Sequence, residues 1–344
     1  MLKWKVPKLP SLSVVSYADI AFVIYTGIFS FYRSANLVDI TACQIYTAPQ
    51  NPSDVSEAAV KSKENTMGSR PLLHKQATIE EEEDDDTEKF GPRQFLSADS
   101  LLKSNPQACL MIISKSLDTK RGYKILKPFL DRGFKVVAVT PDVPFLVRNT
   151  PAEAWLEDIK NGKSDPGAVL YKYGGVYMDT DFLVLKNFKG LRNAVGVQII
   201  DEASQNWTSV NGALQIFDIW HPMLFQFMKE YATNFSPHIW GENGPYLVSR
   251  VIKRLGAGRS PVYNISILPR KAFYPVDWVN ISRLYKKPAT EEESKWVEET
   301  MAKLSRESYA IHLWNQVSKR MVTEEGSVID RLYASHCLIC YKIT

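Results

Sequence analysis

Residues 170–185 read Leu-Tyr-Lys-Tyr-Gly-Gly-Val-Tyr-Met-Asp-Thr-Asp-Phe-Leu-Val-Leu and place two carboxylates one residue apart, Asp179 and Asp181. An apolar run breaks at Gly174-Gly175, resumes with β-forming residues, delivers the two acids and continues as Phe182–Leu185. Paired carboxylates at a strand end can share a hard divalent cation, which prefers oxygen ligands. A cation held there can clamp a diphosphate and take up charge as it departs. An Asp-x-Asp alone is common in surface turns. The flanking apolar runs sharpen it, because unpaired charge between them would be costly.

The elements that must position these acids follow from the rest of the chain. Phe95–Lys103 reads as a helix and Cys109–Ser114 as a strand apolar enough for burial on both faces. Gly122–Arg132 reads as a helix interrupted by Pro128, and Gly133 turns into a second strand, Lys135–Thr140. Strand, helix, strand in this order suggests a βαβ unit and a parallel sheet. Trp155–Lys160 is expected as a short helix, and Asp165-Pro166 caps another, Ala168–Tyr173, of about two turns. Beyond the acids, Ala194–Ile200 and Ala213–Phe217 read as strands, and Pro222–Phe235 and Tyr246–Leu255 as helices. Thr290 with Glu293 forms a capping box for a helix to Leu304 with Val297, Met301 and Leu304 as its buried stripe. Tyr309–Trp314 returns to strand character.

The 344 residues are 45% apolar and 23% charged, which is ordinary globular composition. Four cysteines are too few for a disulfide scaffold, and the lone Cys337-x-x-Cys340 reads as a disulfide or two free thiols rather than a zinc site. Residues 1–90 hold 9 basic and 13 acidic side chains, leaving 33 and 25 for the remainder. That mildly basic remainder suits an anionic substrate, or solubility alone, and no tract is dense enough for nucleic-acid binding. Lys3, Lys5 and Lys8 precede an apolar stretch, Leu12–Tyr32, broken by Asp19. We read it as a signal anchor with the lysines cytosolic and all beyond Arg33 lumenal; a cleaved signal or a buried segment is the alternative. Asn206, Asn264 and Asn280 open glycosylation sequons that agree with a lumenal location. Residues 34–89 lack periodicity and include seven consecutive acids, Glu80–Asp86, the mark of a disordered stem.

Two acids at a strand end of an α/β domain allow a nucleotide-sugar transferase or a phosphohydrolase with a nucleophilic Asp. Leu183 stands where haloacid-dehalogenase-type hydrolases need a hydroxyl or small residue, which counts against the hydrolase. Tyr173–Asp181 resembles the sugar-binding Asp-x-Asp region of the α-1,4-glycosyltransferase family, which includes the lactosylceramide 4-α-galactosyltransferases. Asn211-Gly212-Ala213, Trp240–Pro245, Ala272–Pro275 and His312–Asn315 match the same family in order. The likeness covers about Phe90 to Cys340, and Asn149–Trp155 and Cys337–Cys340 look most like its plant branch.

This resemblance implies a GT-A-like (Rossmann-like) domain, a UDP-sugar donor, a divalent cation, usually Mn²⁺, and transfer of a hexose such as galactose with retention. It makes Asp179 and Asp181 catalytic and, with His312, the metal ligands. Tyr173, Gly174, Gly175, Asp179, Asn211, Gly212 and Ala213 would line the donor site, and Trp240, Glu242, Asn243 and Gly244 the acceptor side. Read without the family, Gly174-Gly175 is a helix C-cap and turn, His312 a strand residue beside Trp314, and Trp240 a core residue. The implied organisation is a cytosolic tail and anchor (1–33), a stem (34–89), a nucleotide-sugar-binding half (90–205) and an acceptor-side half (206–344). Together these describe a type II Golgi membrane enzyme with a lumenal catalytic domain and a glycan or glycolipid acceptor.

Two features depart from the family pattern. Ser164-Asp165-Pro166-Gly167 runs directly into Ala168-Val169-Leu170, where relatives carry a longer helix with an arginine facing the donor. No arginine lies between Arg148 and Arg192. At Lys89-Phe90-Gly91 the stem meets the domain without the first strand that relatives place there. A chain shortened in this way is expected to keep the metal site and bind donor poorly. The alternative function is then an inactive, donor-site-deficient relative acting as a binding or assembly partner.

Overall fold

A computed structural model of the chain describes residues 21–25, 90–153, 166–236, 239 and 241–340. The stem, Trp155–Lys160 and Trp240 lie outside the described residues. Strand β1 (Ala21–Tyr25) precedes helix α1 (Pro92–Ser104), β2 (Cys109–Ile113), α2 (Lys120–Leu130), β3 (Lys135–Val139) and α3 (Val143–Val147). Next come α4 (Pro166–Tyr173), β4 (Gly175–Asp179), β5 (Phe182–Val184), β6 (Ala194–Ile200) and β7 (Trp207–Phe217). The remainder holds α5 (Pro222–Asn234), α6 (Leu247–Leu255), β8 (Ser266–Leu268), α7 (Glu291–Glu307), β9 (Ala310–His312), α8 (Asn315–Ser318) and α9 (Val328–His336).

The fold is mixed α/β. A seven-stranded sheet runs β3-β2-β1-β4-β7-β6-β8, and β5 pairs with β9 in a separate two-stranded ribbon. The β2–α2–β3 unit is parallel, as its strand–helix–strand pattern predicts. Strands β1 and β7 run against their neighbours, so β2, β3, β4, β6 and β8 all end at one edge. Asp179 is the last residue of β4, and the acids therefore stand at that carboxyl edge, where open α/β sheets bind ligands.

Ala21–Tyr25 corrects part of the anchor expected over Leu12–Tyr32. Those residues form a strand between β2 and β4, antiparallel to both, with Ala21 level with Asp179. Ala-Phe-Val-Ile-Tyr is short, apolar and β-branched, and such a run suits a central strand as well as a membrane helix. It occupies a position in the sheet beside β4. The rest of Leu12–Tyr32 lies outside the described residues, and no described helix is long and apolar enough to cross a membrane.

The sheet is covered on both faces. Helices α1, α7 and α9, with the β5–β9 ribbon and Phe273-Tyr274, pack on one face around Leu101, Leu110, Met178 and Leu214. Helices α5 and α6, with Leu170 of α4, pack on the other around Tyr177, Val195 and Val210. Helix α7 begins at the expected cap, with Thr290 Oγ1 accepting from Glu293 N–H. The reciprocal bond of a capping box is displaced by one residue: the Glu293 carboxylate accepts from Ala289 N–H rather than Thr290 N–H. Val297 and Leu304 are buried, with Met301 packed beside them.

Three elements differ from expectation. Strand β7 starts at Trp207 rather than Ala213, because pairing with β6 across the Asp201–Asn206 turn extends a stretch whose Asn and Gly hide its strand character. Tyr309–Trp314 contributes only the three residues of β9. Phe182–Val184 leaves the main sheet to pair with it. Cys337 and Cys340 form a disulfide, and Asp99, fully buried, accepts the backbone N–H groups of Leu338, Ile339 and Cys340 beneath it.

Candidate active site

The site is assembled where β4 hands over to β5. Asp179 ends β4, Thr180 turns the chain, and Asp181 precedes β5. The β5–β9 register sets Phe182 opposite His312, which brings the histidine alongside Asp181. Its Nε2 lies 3.3 Å from Asp181 Oδ1. The backbone of the same region holds the acid: Leu313 N–H donates to the Asp181 carbonyl at 2.7 Å and Asn315 N–H to Asp181 Oδ2 at 2.9 Å. One ligand atom from each of Asp179, Asp181 and His312 lies within 4.8 Å of the others. The structure brings these three sequence-predicted residues together.

Aromatic rings wall the triad. The His312 ring is 4.2 Å from that of Trp314, 4.8 Å from Phe182 and 5.7 Å from Tyr274, centre to centre. Trp314 is fixed by its Nε1–H donating to the Val276 carbonyl at 2.9 Å. Gly196 on β6 lets this wall close on the sheet, since a Cβ there would stand 2.7 Å from Phe273 Cδ2 and 2.8 Å from Tyr274 Cε2.

The two acids titrate apart. Burial, and then the adjacent Asp181 charge, push the Asp179 carboxyl up to about 7, against the opposing pull of the Tyr177 hydroxyl and His312. Burial also works against ionised Asp181, but His312 and the Asn315 amide outweigh it and hold that carboxyl below its ordinary range. Burial and the Asp179 charge keep the Tyr274 hydroxyl protonated well above its usual range. Sequence reasoning missed Tyr177, whose hydroxyl donates to Asp179 Oδ1 at 2.6 Å. The signal was present: residues two apart on a strand share a face.

The residues fit a divalent cation. Two crowded carboxylates leave negative charge that a single imidazole does not balance, and oxygen plus borderline nitrogen is a donor set that divalent cations take. His312 Nδ1 is buried with no hydrogen-bond partner, and Nε2 faces Asp181, a fellow member of the triad.

The donor-side residues divide. Met178 pairs with Leu214, so the register carries Ala213 level with Asp179 and leads Gly212 and Asn211 on past the acids. Asn211 is buried and its Oδ1 accepts from Ala213 N–H. Tyr173 instead ends α4, Gly174 follows it, and Gly175 starts β4, roughly 13 Å of strand from Asp179. Gly174 caps α4 with φ +67°, and a Cβ there would stand 2.7 Å from Ile219 N. The helix C-cap and turn describe the glycine pair in this structure, and the triad does not reach it. On the acceptor side, Glu242 accepts from Arg250 Nη1 at 2.7 Å, and Arg250 also pairs with the buried Glu230. Asn243 bridges both backbone groups of Ser236, and Gly244 turns the chain into α6. These polar groups are engaged in holding their own loop.

Comparison with known proteins agrees with this geometry. Residues 91–203, which include both acids, match a glycosyltransferase sugar-binding region containing the DXD motif. Residues 216–344, which include His312, match the alpha 1,4-glycosyltransferase conserved region. The class is thus that of the glycosyltransferases. Lactosylceramide 4-alpha-galactosyltransferase of Rattus norvegicus is 30% identical over 261 residues, 70% of this chain and 68% of that protein. An uncharacterized protein of Arabidopsis thaliana is 29% identical over 269 residues, 74% of this chain but 40% of its own length. Alpha-1,4-N-acetylglucosaminyltransferase of Homo sapiens is 26% identical over 221 residues, 58% of this chain and 59% of that protein. The chain belongs to the α-1,4-glycosyltransferase family.

Proposed function

We propose that this protein is a retaining, Mn²⁺-dependent hexosyltransferase with a GT-A-like fold that uses a UDP-sugar donor and a glycan or glycolipid acceptor. The observation that carries it is the convergence of Asp179, Asp181 and His312 at the carboxyl edge of the sheet. Galactose is the first candidate sugar, given the name of the rat relative, and N-acetylglucosamine the second, given that of the human one. A divalent cation held by these three residues supplies charge neutralisation to the departing diphosphate. The chain's own residues do the rest. Asp181, pinned by the Asn315 amide, stays ionised. Tyr177 orients Asp179, and Asn211–Ala213 form the floor beside it. With Glu242 paired to Arg250, retention is read as a same-face reaction without a protein nucleophile.

The proposed setting is the Golgi lumen, supported by the Cys337–Cys340 disulfide and by exposure of all three sequon asparagines. The expected membrane anchor is not carried into the proposal, because Ala21–Tyr25 is a strand of the sheet. A screen of UDP-sugar hydrolysis with and without Mn²⁺ tests the reading. We expect one UDP-hexose to turn over only with the metal and not in Asp181→Asn. Equal rates without Mn²⁺, or no turnover of any donor, would sink it.

One observation favours a second reading. Helix α4 has only eight residues, and the first arginine after it, Arg192, is occupied by Asp218 at 2.8 Å. A donor-site-deficient relative acting as a binding or assembly partner fits this. Calorimetry with UDP-hexose and Mn²⁺ separates the two, since donor affinity equal to that of a full-length relative excludes the deficient form.

A further inference from the structure

Beside the triad lies a groove of about 680 Å³ that none of the roles above uses. Its volume is that of a small-ligand site. One wall comes from the carboxyl end of β6, Trp207 and the Pro269–Lys271 turn that follows β8, the other from α7 and the loop before it. Val276 belongs to the lining, and its carbonyl is the acceptor of the Trp314 indole N–H. The Trp314 ring in turn rests against His312. The Val276 backbone and the Trp314 ring therefore link the groove to the candidate metal ligands.

The charge of the lining is unbalanced. Arg270, Lys271, Arg283 and Lys303 face two carboxylates, Asp277 and Glu307. Arg270 pairs with Asp277 at 3.0 Å and Lys271 with Glu307 at 3.5 Å. Among the described residues, Arg283 and Lys303 have no carboxylate partner. The Arg283 guanidinium lies 3.8 Å from the centre of the Trp296 ring. That stacking holds its planar donor fork in place, which reduces the entropy lost when it meets an anion. Ser308 also lines the groove; it is 1% exposed, and its Oγ has no hydrogen-bond partner. A buried hydroxyl left unpaired is costly unless a ligand group completes it.

We infer that this groove holds the acceptor and that the acceptor is an acidic saccharide, whose carboxylate or phosphate meets Arg283 and Lys303. Naming the ligand an acceptor rests on the transferase reading above; the preference for an acidic sugar rests on the groove alone. The two unpaired cations supply charge-assisted hydrogen bonds to the anion, Trp296 with Arg283 forms a plate against the sugar, and Ser308 takes one hydroxyl. The donor diphosphate belongs at Asp179 and Asp181.

Titration calorimetry on the full chain tests this without turnover. The probes are a glucuronic-acid-containing disaccharide, a disaccharide phosphate and a neutral disaccharide of the same linkage. We expect at least one acidic probe to bind roughly 10- to 100-fold tighter than the neutral one, and which acidic probe prefers the groove names the anion. Arg283→Gln and Lys303→Gln, both at exposed positions, should each reduce that preference while keeping the wild-type melting temperature. Saturating UDP with Mn²⁺ should leave saccharide binding in place. Equal binding of acidic and neutral probes, no saccharide binding at all, an unchanged preference in both variants, or displacement by UDP each overturns the inference. UDP-hexose hydrolysis by the same variants keeps the two ideas apart. Hydrolysis without acidic preference leaves the transferase reading standing, and acidic preference without hydrolysis in the wild type removes only that reading.

Discussion

Metal uptake by this protein should release close to one proton at pH 6 and only about a tenth of one at pH 8, and should strengthen with pH through neutrality. The cause is the asymmetry of the two acids: Asp181 is held ionised while the Asp179 carboxyl titrates at about 7. A carboxylate must be deprotonated to bind a cation, so proton and metal compete for Asp179. Its ionised fraction rises from about one tenth at pH 6 to about nine tenths at pH 8, which raises the apparent Mn²⁺ affinity about tenfold. Titration calorimetry at pH 6, 7 and 8, in two buffers of different ionisation enthalpy, reads both the affinity and the number of protons released. Asp179→Asn should weaken binding and flatten its pH dependence. Tyr177→Phe removes the hydrogen bond that lowers the Asp179 value and should move the rise to higher pH. An affinity that is flat between pH 6 and 8, or the same slope in Asp179→Asn, would refute the reasoning.

The same carboxyl gives the metal-free protein a stability term of known sign. Its folded value is raised above the ordinary 3.8, so the contribution is full below that and lost as pH rises through about 7. Asp179→Asn should therefore stabilise the metal-free protein at pH 8, by roughly 2–4 kcal/mol, in denaturant unfolding; a loss of stability would contradict the assignment. Gly174→Ala combines a left-handed backbone with a Cβ 2.7 Å from Ile219 N and should cost roughly 2–4 kcal/mol. A neutral result in thermal unfolding would show that the α4–β4 turn can shift at little cost. Asp99→Ala leaves three backbone N–H groups at the Cys337–Cys340 turn without their acceptor and should cost roughly 2–4 kcal/mol in urea unfolding. Unchanged stability there would mean that water replaces the carboxylate.

Local pattern made much of this molecule legible from residue order alone. The Cys109–Ile113 and Lys135–Val139 runs declared parallel strands, because apolar continuity around a helix allows little else. Thr290 and Glu293 announced the start of α7, since a cap is a property of four neighbouring residues. The Asp-x-Asp marked its own place at a strand end, and the family likeness supplied His312 as its partner. What local pattern could not settle was which elements share an edge. Ala21–Tyr25 is equally apolar as a membrane segment or a central strand, and only pairing with β2 and β4 distinguishes them. Gly174-Gly175 belongs to the same motif as the acids, yet a strand's rise carries the pair to the opposite end of β4. Glu242 looked free for an acceptor until Arg250, brought by α6, claimed it. The groove lined by Val276 is the clearest case, for Arg283, Trp296, Lys303 and Ser308 converge through packing of α7 on the sheet. Residue types and their spacing determined the chemistry this chain can attempt, because a carboxylate pair is a carboxylate pair wherever it lies. Which groups meet it, at what distance and with what charge, was decided by tertiary pairing, because those contacts join residues far apart in the chain.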